Sequence, residues 1–215
     1  RDYFGHRDAP NNMTLSCCGN FDFDALCRLA QTQCGAWQPA EADRQLSAFE
    51  GTFEKKSIQN SNLVRQHLYL LSPAVSMQDE RRHAASLLSS IIGDTTGSRY
   101  YWALVEPALA ETAGMHCDSM DGIGAFYSYI CCGPDNTGRV LDIIAGLFGD
   151  LKQNGVTEAE LHAAQNKVLS AMTLQSEQPI GRLVSLGFNW MYNKEYCSLA
   201  QDVERIKAVS LRDIR

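Results

Sequence analysis

Long apolar runs are missing from this chain: none approaches the roughly 18 residues that a bilayer-crossing helix needs. A membrane-spanning helix is therefore not expected. Basic clusters are scarce too, with 19 lysines and arginines against 25 acidic residues and a formal net charge of -6. The two basic runs, Lys55-Lys56 and Arg81-Arg82, each have a glutamate beside them and read as solvated faces. Phosphate recognition wants clustered Lys and Arg, so nucleic acid is not an expected partner. No C-x-x-C spacing occurs among the eight cysteines, and no two of the five histidines, His6, His67, His83, His116 and His162, stand four apart. The short-range spellings of a zinc site are absent. What is present is ordinary for a globular protein: 45% hydrophobic and 20% charged over 215 residues, enough for one large domain with an appendage.

Two cysteine pairs are vicinal, Cys17-Cys18 and Cys131-Cys132, in runs that read as strands. Neighbouring strand side chains point to opposite faces and cannot converge on one tetrahedral metal. Cys27 and Cys34, seven apart on an expected helix, share a face, which for a small apolar side chain usually means burial. The thiols are expected to be free and structural, with an incidental disulfide as the alternative, and they favour a reducing cytoplasm. Each histidine reads as a surface or internally satisfied residue: His83 follows two arginines on a helix, and His162 sits in an exposed helical face.

Order along the chain comes from hydrophobic period and turn residues. Residues 13–18, MTLSCC, read as a strand ended by Gly19, and Asp22 or Asp24 caps a helix that aligns Leu26, Leu29, Ala30 and Cys34. Residues 38–54 hold no period and read as a linker. Alternation over residues 61–71 sets Gln66, Leu68 and Leu70 against His67, Tyr69 and Leu71, a strand that Pro73 ends. A helix is expected over 77–92, striped by Ala84, Leu87, Leu88 and Ile91, and another over 98–110. Strands at 114–119 and 123–132 then join through Met120-Asp121-Gly122. Val140, Ile143, Ile144, Leu147, Phe148 and Leu151 mark a helix stopped at Asn154-Gly155, and Thr157-x-x-Glu160 is a capping box for the next. Residues 175–179 interrupt that helix, short helices follow around 183–191 and 199–208, and a last one begins at 210–213. The sum is an α+β protein, an antiparallel sheet layered with helices.

The run IIGDTTGSRYYWALVEPALAET, residues 91–112, carries the most information. With the helix end before it, the hairpin after it, NGVTEAELHAAQNKV, the closing VSLRDIR and the leading NNMTLSCCGNFDFDALCRLAQTQCGAW, it resembles the insulinase/pitrilysin/mitochondrial-processing-peptidase family of zinc proteases. The part resembled is the second, metal-free "inactive" half, in a processing-peptidase and LuxS-like metallohydrolase fold. The resemblance implies three segments: 1–37 as the closing strand and helix of the preceding catalytic half, 38–57 as linker, and 58–215 as the second half, cut before its end. It also implies zinc in the catalytic half, held by an inverted H-x-x-E-H motif that this chain lacks, so no cofactor is expected here. The chain alone would then be inactive, forming a chamber wall and contacting a peptide substrate. Its partner would be the catalytic half or another subunit. A noncatalytic scaffold with the same fold is the alternative.

Ser98, Arg99, Tyr100, Val105 and Glu111 are the substrate-contact candidates that the resemblance marks. Active family members commonly place an Arg and a Tyr where this chain has Val105 and Glu111, and neither side chain can replace a guanidinium or a phenol. Three plainer roles stand beside these: Ser98 as an N-cap, Arg99 paired with Asp94, and Tyr100, with Tyr101 and Trp102, as core and rim aromatics of a packed helix. One expectation concerns the sheet edge, since an open apolar edge invites aggregation. The strand at 13–18 should pair with it, within one molecule or exchanged between two.

Overall fold

The computed structural model describes residues 8–40 and 51–214. The elements run α1 (Phe23–Cys34), β1 (Gln66–Ala74), α2 (Arg82–Gly93), β2 (Ala110–Ser119), β3 (Gly124–Cys132), α3 (Thr137–Asn154), α4 (Glu158–Ser176), α5 (Pro179–Asn193) and α6 (Leu199–Ala208). By contact the chain divides into two compact units, residues 1–47 with 172–198, and residues 48–171 with 199–215.

The larger unit is organised by a three-stranded antiparallel sheet, ordered β1-β3-β2. Strand alternation sorts its side chains. Leu68, Ile130 and Ala113 lie in register across it, as do Leu70, Ser128 and Met115. That face meets Ile92 of α2, Val140 and Ile144 of α3, and Tyr100 and Leu104 from the segment between α2 and β2, which together form the core. The hairpin turns at Gly122, φ 70°, where a left-handed backbone suits glycine. Gly155, φ 74°, stops α3. The capping box then starts α4, with Thr157 N donating to Glu160 Oε2 at 2.7 Å and Glu160 N donating to Thr157 Oγ1 at 3.2 Å. From α4 the buried Gln165 amide donates to the carbonyls of Ile206 (3.1 Å) and Val209 (3.0 Å), satisfying acceptors that the end of α6 leaves open.

In the smaller unit, Asp22 caps α1, accepting from Ala25 N at 2.8 Å. Asn11 and Ala40 exchange two hydrogen bonds, Nδ2 to O at 3.0 Å and N to Oδ1 at 3.3 Å. Leu15, Phe23, Leu29, Ile180 and Phe188 all remain exposed.

Several expectations need correction. Residues 13–18 form no strand within this chain, so the strand expected there is not seen, and the three-stranded sheet does not include them. An extended run becomes a strand only with a ladder partner, and Met13 and Leu15 are exposed. Cys27 is exposed rather than buried, and among the described residues α1 buries nothing. The eight cysteines are free thiols, of which Cys131 and Cys132 are buried. The first strand starts at Gln66 rather than residue 61, because Asn60 turns the chain by accepting from Asn62 N (3.0 Å) and Leu63 N (3.1 Å). It also runs through Pro73, which pairs with Ala125. β1 is an edge strand, where a missing N–H is tolerated. Helix α2 starts at Arg82, five residues after the expected Met77, behind turns held by Asp79. The helix expected over 98–110 ends in a π turn, Tyr101–Val105, and β2 begins at Ala110. Residues 210–213 make a single turn, in which Asp213 accepts from Ser210 N and Oγ.

His83 also departs from expectation. On α2, facing α6, its Nε2 is buried with no hydrogen-bond partner among the described residues. Burial lowers its pKa from 6.5 to about 4, helped by Arg82 and Arg205 and opposed by Asp202. The unfolded chain therefore takes up this proton near pH 6.5 and the folded chain only near 4, so the stabilisation is complete above 6.5 and is lost as pH falls towards 4. Melting temperature should decline through that window, and His83→Gln should flatten the decline. An unchanged slope in the variant would contradict the assignment.

Candidate functional site

Four of the candidate residues lie on the segment linking α2 to β2 and the fifth, Glu111, lies at the start of β2, and the structure sends them in different directions. Ser98 is buried; its Oγ donates to Asp94 O at 2.6 Å and accepts from Tyr101 N at 3.1 Å. This is the geometry of an N-cap. Tyr100 is wholly buried, its hydroxyl 3.0 Å from Ser128 Oγ and its ring edge-on to Phe148. Burial raises its pKa, against the Ser128 hydrogen bond. Neither side chain has surface with which to touch a ligand.

Arg99 does not pair with Asp94, which Lys167 holds at 2.8 Å. Its guanidinium instead grips Glu160 with two donors, Nε to Oε1 at 2.7 Å and Nη2 to Oε2 at 3.0 Å. It also donates to Asp150 Oδ2 at 3.0 Å and to Gly155 O at 2.9 Å. With 13% of its side chain exposed, Arg99 is a clamp on the α3–α4 turn. It holds the Glu160 carboxyl down to about 2 from 4.5, with Thr157 assisting and burial opposing.

After Ser98 the chain makes i+5 hydrogen bonds, Glu106 N to Tyr101 O at 2.8 Å and Leu109 N to Leu104 O at 3.0 Å. Such π turns cost helix regularity and recur at functional sites. Pro107 follows, and Ala108 takes a left-handed φ of 56° that redirects the chain into β2. Val105 is half-buried against the core. Glu111 sits at the register shift between Ala110 and Thr112, exposed and ion-paired with Arg65.

Glu111 leads onto a surface that sequence reasoning did not single out. The sheet face opposite the core carries His67, Tyr69, Tyr127, Tyr129 and His116, and His67, Tyr69 and His116 are exposed. Tyr129 is hydrogen-bonded to His67 Nδ1 at 2.9 Å and tilts against Tyr69 with ring centroids 5.0 Å apart. His116 tilts against Tyr127 at 5.3 Å. The signal was legible as aromatics at every second position of 67–69 and 127–129. Among the described residues no group of three or more His, Cys, Asp or Glu side chains could hold a metal ion. His67 and His116 each engage a tyrosine instead. The donor set therefore does not fit zinc.

The family model of the peptidase M16 inactive domain matches residues 1–168. The chain belongs to the M16 peptidase family, in its inactive domain. An uncharacterized zinc protease of Mycobacterium tuberculosis is 23% identical over 214 residues, 97% of this chain and 49% of that protein. One from Streptomyces coelicolor is 23% identical over 224 residues, 100% of this chain and 48% of that protein. The chain thus spans about half the length of the curated relatives it matches. The fold is shared with a protease from Helicobacter pylori, TM-score 0.73 at 15% identity over 92% of this chain and 49% of that one. It is also shared with the inactive peptidase domain of a putative zinc protease from Bordetella parapertussis, TM-score 0.58 at 17% identity over 70% of this chain and 82% of that one. The M16 inactive-domain chain is α+β, an antiparallel sheet layered with helices.

Proposed function

We propose that this chain is the metal-free half of a two-half zinc metalloendopeptidase, forming a wall of the peptide chamber and contacting substrate without cleaving it. The observation that carries the reading is an M16 inactive-domain fold whose described residues hold no metal-ligating cluster. The catalytic zinc would lie in the other half, which would supply the activated nucleophilic water. Residues 1–37 would complete that other half; the exposed Leu15, Phe23 and Leu29 support this, because such apolar surface asks for cover. The substrate would meet this half around Glu111 and Val105 and across the aromatic sheet face. The free thiols support a reducing compartment, and the wider kinship with LuxS-type metallohydrolases rests on the resemblance alone.

A second reading, a noncatalytic scaffold with the same fold, is favoured by Val105 and Glu111 standing where active members commonly carry Arg and Tyr. One assay separates the two. The chain alone should not hydrolyse an unstructured fluorogenic peptide, with or without zinc. Mixed with the other half it should give zinc-dependent cleavage, abolished by a chelator. Hydrolysis by the isolated chain would overturn both readings, and a mixture that binds peptide but never cleaves it would favour the scaffold.

A further inference from the structure

We infer that Asn154 is a covalent modification site: its side-chain amide is lost to give aspartate and isoaspartate, at a rate set by how firmly Arg99 holds the turn after α3. The inference stands apart from the peptidase reading, since the reaction needs only water and these residues. Asn154-Gly155 is the chain's one Asn-Gly pair. In such a pair the glycine backbone nitrogen attacks the asparagine Cγ, forming a cyclic imide and expelling ammonia. Water then opens the imide at either carbonyl, leaving aspartate or its backbone-shifted isomer. Glycine favours the ring closure because no Cβ crowds the approach. Asn154 is exposed, so water reaches it.

Contacts on both sides hold the reacting atoms apart. Gly155 N, the nucleophile, donates to Leu151 O at 2.9 Å and so points back along α3. Asn154 Nδ2, the leaving nitrogen, donates to Asp150 Oδ1 at 2.7 Å. Arg99 fixes the far side of both groups, donating to Asp150 Oδ2 at 3.0 Å and to Gly155 O at 2.9 Å. The turn must open before Gly155 N can swing towards Cγ, so the rate follows the open population. The product then works against the turn that formed it. A carboxylate at position 154 cannot donate to Asp150, repels it one helical turn away, and sits at the negative end of the α3 dipole. Isoaspartate also puts an extra methylene into the backbone just before Gly155, whose left-handed φ of 74° ends α3.

The test incubates the full chain in mildly alkaline buffer and follows residue 154 by peptide mass mapping, which reads the exchange of NH2 for OH. The folded parent should react at least about tenfold more slowly than the same chain in guanidinium chloride. Arg99→Ala should speed the folded reaction by about tenfold. Asp150→Ala removes a half-exposed carboxylate, spares the fold, and should also accelerate it, so the outcome does not hang on whether Arg99→Ala folds. Asn154→Gln, whose longer side chain disfavours the ring, should stay unmodified, and Asn154→Asp should melt below the parent. Circular dichroism confirms that each variant is folded during incubation. Equal rates for the folded and denatured parent would overturn the inference. So would folded Arg99→Ala and Asp150→Ala chains that react as slowly as the parent, or an unchanged mass at residue 154 in the denatured chain.

Discussion

Arg99→Ala should lower the stability of the larger unit by about 3 kcal/mol, near the cost of leaving one partner of a largely buried ion pair alone. Arg99 is 13% exposed and Glu160 29%, so solvent screens this pair only weakly. The Asp150 contact, 52% exposed on its carboxylate, adds little. At that cost the melting temperature should fall by about 6–12 °C. Arg99→Lys should recover only part, because an ammonium cannot grip both Glu160 oxygens while reaching Gly155 O. Acid provides an independent check. The Glu160 pKa drops from 4.5 to about 2 on folding, so its contribution is complete above 4.5 and is lost as pH falls towards 2. Stability of the parent should therefore slope downward in that window, and Arg99→Ala should make it shallower there. A variant that melts like the parent would show the clamp to be ornamental.

Gly93→Ala should be at least as damaging, about 3 kcal/mol or more, the upper end for overpacking. A methyl at the last position of α2 would press on Met115 N and Met115 Cβ, and would stand 2.8 Å from Gly114 C. Those are mostly backbone atoms of β2, which cannot swing aside as a flexible side-chain end can. The helix must lift off the strand, opening the core to which Ile92, Ala113 and Met115 belong. Loss of the cooperative unfolding transition, or a melting temperature well below that of Arg99→Ala, is the expected result. Gly97→Ala, with nothing within 4 Å but a φ of 72°, should suffer backbone strain alone and so cost less. Comparable losses in the two variants would mean that packing against β2 is not the cause.

What the sequence made legible was local. Asp22 before α1, the Thr157–Glu160 box, the left-handed Gly122 and the stop at Gly155 each act within a few residues, so pattern and position suffice to place them. The M16 likeness was legible because an ordered series of such local signals is itself specific. What was hidden depended on distance. Arg99 meets a carboxylate 61 residues onward, and nothing near Arg99 distinguishes Glu160 from Asp94. His83 read as a surface or satisfied histidine because the groups of α6 that face it, Asp202 and Arg205, lie far along the chain. Apolar period over 98–110 reads as one helix, yet Pro107 and the left-handed Ala108 redirect the backbone into β2. The aromatic face was written in plain alternation and still went unread, since exposed tyrosines on a strand have no signature until the other face is known to be covered.

The proline in β1 has an outcome for how copies of this protein can meet. β1 is an edge of the described sheet and carries Pro73, the residue type that edge strands use to blunt pairing with an arriving strand. The opposite border, β2, keeps its amide groups but is offset at Ala110 and Thr112, which throws an incoming strand out of step. Each border of the described sheet thus carries its own irregularity, one chemical and one geometric, of the kind that works against edge-to-edge association.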